Sequence, residues 1–276
     1  MKDIHFSVSM CVYGKDNAAH FKSAADSIIH QTVKPSEVVL VVDGPVPEGL
    51  DQIIAGYEAN PLFRVIRLEK NVGHGNARRI GLENCIYELV ALMDADDISV
   101  PDRFESQLRI FEKETDISIV GGQIEEFIDE PEKPVSLRRV MTSDQDIKED
   151  MKVRCPMNQV TVMFKKTDVQ RAGGFIDWYC EEDYYLWLRM AQLNMRFANV
   201  DKVLVQVRVG ADMYQRRGGW KYFSSEAKLQ KYMLDNRMIG LGTFAVNAAK
   251  RLIVQVLLPN KIRGWVFQRF ARGQAA

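Results

Sequence analysis

The chain has 276 residues, 46% of them hydrophobic and 27% charged, enough for one large α/β domain or for one such domain with a small appendage. Lysine plus arginine equals aspartate plus glutamate, 37 of each, so net charge asks for no polyanionic partner and nucleic acid is not expected as one. Cys11, Cys85, Cys155 and Cys180 are scattered and form no CxxC pair, which excludes a zinc ribbon or a disulfide framework and suits a reducing cytosol.

Met1-Lys2-Asp3-Ile4-His5 runs straight into a strand-like segment, so no secretory leader is expected. No uncharged apolar stretch reaches the roughly 18–20 residues that span a bilayer. Ile4 to Val12 reads as a strand. Asn17 to Gln31 reads as a helix capped by Asp16 or Asn17. Glu37 to Val42 is a continuous apolar run of the kind buried in parallel sheets. A helix follows over Leu50 to Ala59, a strand over Phe63 to Leu68, and a helix over Asn76 to Tyr87, entered through the turn Asn71-Val72-Gly73-His74-Gly75. Leu89 to Met93 is a short apolar strand. Pro101 suits the first turn of the next helix, Asp102 to Glu114, and Ile117 to Gly121 is the next strand. Glu125 to Val140 holds Pro131 and Pro134 among charges and reads as an excursion or loop. Val160 to Phe164 predicts a strand, Glu181 to Leu193 a helix, and Phe197 to Val209 one or two strands. From Trp220 onward the signals are helical only. A boundary near Gly210–Gly219 divides the chain into a main domain over 1–210 and a helical region over 211–276.

Repeated strand–helix units predict an α/β fold, a mostly parallel sheet with helices on both faces. Such sheets bind ligands beyond the carboxyl ends of their strands. Four features fall at predicted strand ends: Cys11-Val12-Tyr13, Asp43-Gly44, the Asn71–Asn76 turn, and Asp94-Ala95-Asp96-Asp97. The last crowds three carboxylates into four residues, and a cation should offset their repulsion. Mg²⁺ and Mn²⁺ favour oxygen ligands and commonly share them with substrate phosphates. The plain alternative is a solvated turn capping the following helix.

Five segments resemble family-2 glycosyltransferases, inverting enzymes with a GT-A, Rossmann-like fold. They are Val8-Ser9-Met10-Cys11-Val12-Tyr13; Pro35 to Gly44; Asn71 to Leu82; Leu92-Met93-Asp94-Ala95-Asp96-Asp97; and Gly173-Gly174-Phe175 followed by Glu181 to Arg189. This resemblance implies roles. Cys11, Val12 and Tyr13 would line the nucleobase pocket, and Asp43 would bond the base. Arg78, Gly73 and Asn76 would border the nucleotide. Asp94 would contact ribose or metal, Ala95 would lie beside it, Asp96 would ligate Mn²⁺ or Mg²⁺, and Asp97 would support the loop. Asp183 would be the catalytic base, with Glu182 as the second candidate. An acidic helix N-terminus is the plain reading of Glu181-Glu182-Asp183. The chain departs from the family where Cys11 replaces a frequent proline, where the second aspartate beside Asp43 is missing, and where Arg79 replaces asparagine.

Arg216 and Arg217, on a glycine-rich loop, are candidates to close over the donor diphosphate. Trp178 and Trp187 could stack on an acceptor sugar, though helical spacing favours the core for Trp187. His74 has no evident partner. After Asp235 no acid occurs, while Arg237, Lys250, Arg251, Lys261, Arg263, Arg269 and Arg272 do, interleaved with apolar residues. Pro259 divides this stretch into two expected helices, and the composition suits peripheral contact with the inner face of the cell membrane. An ordinary packed helical subdomain is the alternative. The expected activity is therefore sugar transfer from a nucleotide-sugar donor, by default a UDP-sugar, to a glycan or lipid-linked acceptor in cell-surface polysaccharide synthesis. Sugar-phosphate nucleotidyl transfer and a non-catalytic nucleotide-sugar-binding role on the same fold are the alternatives. The poor match of Cys11-Val12-Tyr13-Gly14-Lys15 to a glycine-rich phosphate loop counts against the first.

Overall fold

The structure is a computed structural model and describes residues 4–210 and 218–258. Strands β1 (Phe6–Tyr13), β2 (Glu37–Asp43), β3 (Phe63–Arg67) and β4 (Leu89–Met93) alternate with helices α1 (Ala18–Ile29), α2 (Glu48–Glu58) and α3 (His74–Asn84). After the short β5 (Ile98–Ser99) come α4 (Arg103–Lys113), β6 (Ile117–Phe127), β7 (Ser136–Arg138), α5 (Asp144–Asp150), β8 (Met163–Lys165) and α6 (Lys166–Arg171). Then follow α7 (Glu182–Gln192), β9 (Arg196–Arg208), α8 (Trp220–Asp235), α9 (Leu241–Arg251) and π-helical turns over Leu252–Leu257.

The sheet order is β3-β2-β1-β4-β8-β6-β9-β5, with β7 paired to β6. The pairs β1–β2, β1–β4, β2–β3 and β6–β9 are parallel, and β8 runs antiparallel to both β4 and β6. Six strands therefore share one direction, as the βα repeats predict. Every residue of β2 is buried, as expected for a strand covered on both faces. Alternation of side chains sorts the core into two layers. Val8, Met10, Leu40, Val42, Ala91 and Met93 face α1, α2 and α4. Val39, Val90 and Leu92 face the other way, towards Leu82 of α3 and Trp187 and Leu188 of α7. Leu229 and Met233 of α8 join that second layer, so the helices beyond residue 218 pack on the same core as the sheet.

Asn17, one of the two expected caps, starts α1: its Oδ1 accepts from the Ala19 and His20 N–H groups. The expected loop over Glu125 to Val140 needs correction. Glu125, Glu126 and Phe127 continue β6, and Ser136–Arg138 returns along it antiparallel, so the two prolines sit in a hairpin connection. The short elements β5, α5 and α6 also had no sequence forecast.

Candidate active site

Strand ends β1, β2 and β4 lie side by side because their registers are parallel: Tyr13 pairs with Asp43, and Met10 with Met93. The acidic loop thus emerges next to the ends of β1 and β2. Its three carboxylates have different surroundings. Asp94 accepts from Nη2 of Arg78, a guanidinium with no exposed side-chain surface. Asp97 is buried and its Oδ1 accepts from the Arg208 N–H at 2.8 Å. Burial, then the charges of Asp96 and Asp94, hold the Asp97 carboxyl well above the usual carboxylate range. Asp96 is exposed, and its carbonyl accepts from Arg208 Nε at 3.3 Å.

The cation that the crowded carboxylates call for is therefore supplied in part by the protein. Arg103 adds to it from below. Fully buried, it donates to the Leu92 carbonyl at 2.7 Å, near the end of β4 and two residues before Asp94. Burial lowers its pKa to about 9, against the attraction of Asp94 and Asp97. Neither Arg103 nor Arg208 had a sequence signal as a site residue: Arg208 is 111 positions from Asp97 and only folding brings it to the loop, and Arg103 reads as an ordinary polar residue of the next helix.

Asp16 is a further acid at this end. It accepts the Tyr13 N–H at 2.9 Å, and burial, with the Asp96 and Asp94 charges, raises its pKa to about 6. Tyr13 itself is exposed. Cys11 and Arg78 lie nearby, and burial pushes the Cys11 thiol up to about 12. Val12 buries its side chain in the core and Ala95 packs against the same layer, so each offers a ligand chiefly backbone. Both oxygens of Asp43 serve the following turn: Oδ1 accepts from the Val72 N–H at 2.7 Å and Oδ2 from the Gly73 N–H at 3.2 Å. Gly73 has φ 89°, in the left-handed region that glycine enters without strain, and caps α3. Asn76 Nδ2 donates to the Val72 carbonyl at 3.0 Å, closing the same turn. Arg216 and Arg217 lie outside the described residues.

Asp183 stands in the first turn of α7. Its Oδ1 accepts the Tyr184 N–H at 2.6 Å, and the Cys155 thiol donates to Oδ2 at 3.7 Å. Glu181 and Glu182 beside it are buried. Burial, then Glu226 and Asp183, raises Glu181 well above its usual range, and burial, then Asp183, raises Glu182 to about 7. One cavity of about 490 Å³ is lined by Asp94 and Asp97 together with Asp183, Cys155, Tyr222 and Arg251. The acidic loop and the candidate base, 86 residues apart at their nearest numbering (183 − 97), thus share one space. Trp187 is fully buried and belongs to the core, as its spacing predicts. Trp178 packs at a tilt against Tyr185, with ring centroids 4.5 Å apart, and its Nε1 donates to the Ser225 carbonyl.

Among the described residues no three His, Cys, Asp or Glu side chains converge as a metal cage. The site still fits a hard cation of the kind that keeps one or two carboxylates and takes its other oxygens from substrate phosphates. Arg78 Nη1 is buried without a hydrogen-bond partner beside Asp94. An unmade buried bond costs about 1–3 kcal/mol, which an anionic ligand at this point would recover.

Fold and site together define a glycosyltransferase of the GT-A class. Residues 7–170 match the family model described as glycosyl transferase family 2, and the chain belongs to that family. The amylovoran biosynthesis glycosyltransferase AmsE of Erwinia amylovora is 35% identical over 97% of this chain and 100% of its own length. An Escherichia coli protein named UDP-Gal:alpha-D-GlcNAc-diphosphoundecaprenol beta-1,3-galactosyltransferase is 35% identical over 97% of this chain and 96% of its own. Among solved structures, the mannosyltransferase PcManGT from Pyrobaculum calidifontis, in complex with GDP-Man and Mn²⁺, superposes with a TM-score of 0.62 over 94% of this chain and 71% of that one, at 17% identity. The names of those two relatives set their own activities in polysaccharide or lipid-linked sugar biosynthesis, and family membership answers the nucleotidyl-transfer alternative for this chain.

Proposed function

We propose that this chain transfers a sugar, with inversion, from a UDP-sugar to a lipid-linked glycan acceptor, with Asp183 as base and Asp96 as the direct ligand of Mn²⁺ or Mg²⁺. The observation that carries this reading is the single cavity shared by Asp94, Asp97 and Asp183. Inversion needs a hydroxyl to attack the anomeric carbon from the face opposite the leaving diphosphate. The base and the diphosphate site must then stand on opposite sides of one space. Asp183 takes the hydroxyl proton, the new C–O bond forms, and the anomeric C–O bond breaks with its electron pair going to the diphosphate. A divalent ion, when bound, neutralises charge developing on that diphosphate. Asp96 is exposed to hold the ion, Arg78 fixes Asp94 beside it, and Arg78 Nη1 is a donor for ribose or phosphate. Tyr13, Cys11 and the Gly73–Asn76 turn, with Asp43 shaping that turn, border the nucleotide. The E. coli relative's name, with its UDP-Gal donor and diphosphoundecaprenol-linked acceptor, favours the donor base and the acceptor class chosen here.

Substitution tests the assignment. Asp183→Asn should abolish transfer while nucleotide-sugar binding, read by thermal shift with Mn²⁺, survives. Asp96→Ala should remove the metal-dependent part of that shift. Full turnover in both variants would sink the mechanism.

A lipid-linked acceptor also needs access from a bilayer. No helix among the described residues is long and apolar enough to cross one, so contact would be peripheral, at the inner face of the cell membrane. The last described helices support this by their inverted faces. Asn247, Arg251 and Gln255 point inward, where Asn247 bonds Gln230 and the Lys152 carbonyl at 2.9 Å each and Arg251 pairs with Glu226 at 3.0 Å. Val246, Ile253 and Leu257 point outward and are 50–65% exposed, with Lys250 among them. A water-facing helix has the opposite arrangement.

A further inference from the structure

Four side chains form an unbroken polar chain from the acidic loop to the helix that carries Asp183. Arg78 Nη2 donates to Asp94, and Arg78 Nε donates to His74 Nε2 at 3.0 Å. His74 Nδ1 lies 3.3 Å from Glu182 Oε1. Glu182 is the residue before Asp183.

The protonation states follow from donor and acceptor chemistry. A guanidinium only donates. The His74 Nε2 facing Arg78 Nε must therefore present its lone pair, and the imidazole proton must sit on Nδ1, where it can donate to Glu182. An imidazolium would put an N–H against the Arg78 N–H. Desolvation, and then the Arg78 charge, push the His74 pKa down to about 4, in keeping with a neutral ring. The backbone brings these groups together through a close approach. A Cβ on Gly75 would lie 3.2 Å from the Asp177 Cα, so glycine there lets the start of α3 meet the loop that leads into α7. The Gly73 cap, held by Asp43, sets the turn from which His74 projects.

We propose that His74 is a positioning residue: a neutral, Nδ1-protonated bridge that fixes Glu182, and through it the first turn of α7 bearing Asp183, relative to the donor loop. It acts on the reaction through Glu182 and moves no proton in it, although His74 also lines the shared cavity. Its consequence is that the base keeps its direction only while α3 and α7 are joined at this point. The kinetic part of this proposal rests on Asp183 being the base. The tautomer does not.

Two measurements test it on the full chain. Nitrogen-15 imidazole NMR near neutral pH should report His74 neutral with the proton on Nδ1, whatever the protein's substrate. A proton on Nε2, or an imidazolium, would overturn the bridge. In transfer assays, His74→Leu should lower kcat about tenfold to a hundredfold, the scale of a small misplacement of a reacting group, with donor KM changed less than about twofold. His74→Gln should recover most of the loss, because an amide offers Arg78 an acceptor and Glu182 a donor. Glu182→Gln should also be tolerated, since its carbonyl still accepts from Nδ1. Wild-type turnover in His74→Leu would overturn the proposal, as would equal losses in His74→Leu and His74→Gln at matched melting temperatures. If Asp183→Asn retains transfer, the base assignment has failed, and the NMR result stands apart from it.

Discussion

Asp94, Asp96 and Asp97 are near neighbours in sequence and are treated very differently by the fold. Arg78 occupies the first, a backbone N–H and burial claim the third, and Asp96 is left at the surface. The acidic motif was legible from Asp94-Ala95-Asp96-Asp97 at a strand end. The division of labour was not, since it depends on Arg78, Arg103 and Arg208, which reach the loop from three other elements. The acids of the base helix give a pH test at the same scale. Glu181 sits well above its ordinary value in the folded chain, and Glu182 near 7. With the folded-state pKa raised, the native chain binds more protons than the unfolded one above the ordinary glutamate value of about 4.5. Stability then falls as pH rises through that value; the Glu182 share levels off near 7, and the Glu181 share continues above it. Glu181→Gln, which keeps an oxygen for the Tyr222 hydroxyl, should flatten this fall. The check is the melting temperature of wild type and variant across that range, and parallel curves would reject the argument.

Helix α3 carries Arg78 and His74 and lies on the sheet at unusually close range. A Cβ on Gly81 would come 2.4 Å from Ser9 Oγ of β1 and 3.5 Å from Val41 Cγ2 of β2. Gly81→Ala should therefore force the helix outward and destabilise by about 1–3 kcal/mol, the usual range for overpacking. Removing the offending oxygen with Ser9→Ala leaves a Cβ 3.7 Å away, an ordinary contact. Chemical denaturation of both single variants and the double should show the double more stable than Gly81→Ala alone, and strict additivity would refute the clash. At the element scale the βα repeats were readable because apolar patterning is strong there: β4 matches its expected bounds, β2 differs by one residue and α7 by one residue at each end. β7, α5 and α6 escaped because none exceeds seven residues. Segments so short carry too few turns or alternations for periodicity, and pairing with β6 decides that Ser136–Arg138 is a strand at all.

At the scale of the whole molecule, the C-terminal helices both complete the cavity and present an apolar exterior. Tyr222 and Arg251 line the site, while Trp220, Val246, Ile253 and Leu257 face outward. If that exterior meets lipid, the full chain should co-sediment with anionic vesicles, and Ile253→Glu with Leu257→Glu should reduce this several-fold while soluble-substrate turnover stays unchanged. Equal sedimentation of the double variant, or of a chain lacking residues 240–276, would refute the contact.

The amino-acid sequence by itself determined the α/β class, the parallel sheet, the acidic loop at a strand end and the basic, acid-free tail. Each is written in local composition and in periods of two or 3.6 residues. Only the tertiary structure decided that Asp183 shares a cavity with the acidic loop, that Arg78 and not a bound ion alone balances Asp94, and that His74 joins α3 to α7. It also decided that the last helices bury their polar side. These depend on contacts between residues far apart in the chain, and on the side chains that burial leaves with a single available partner.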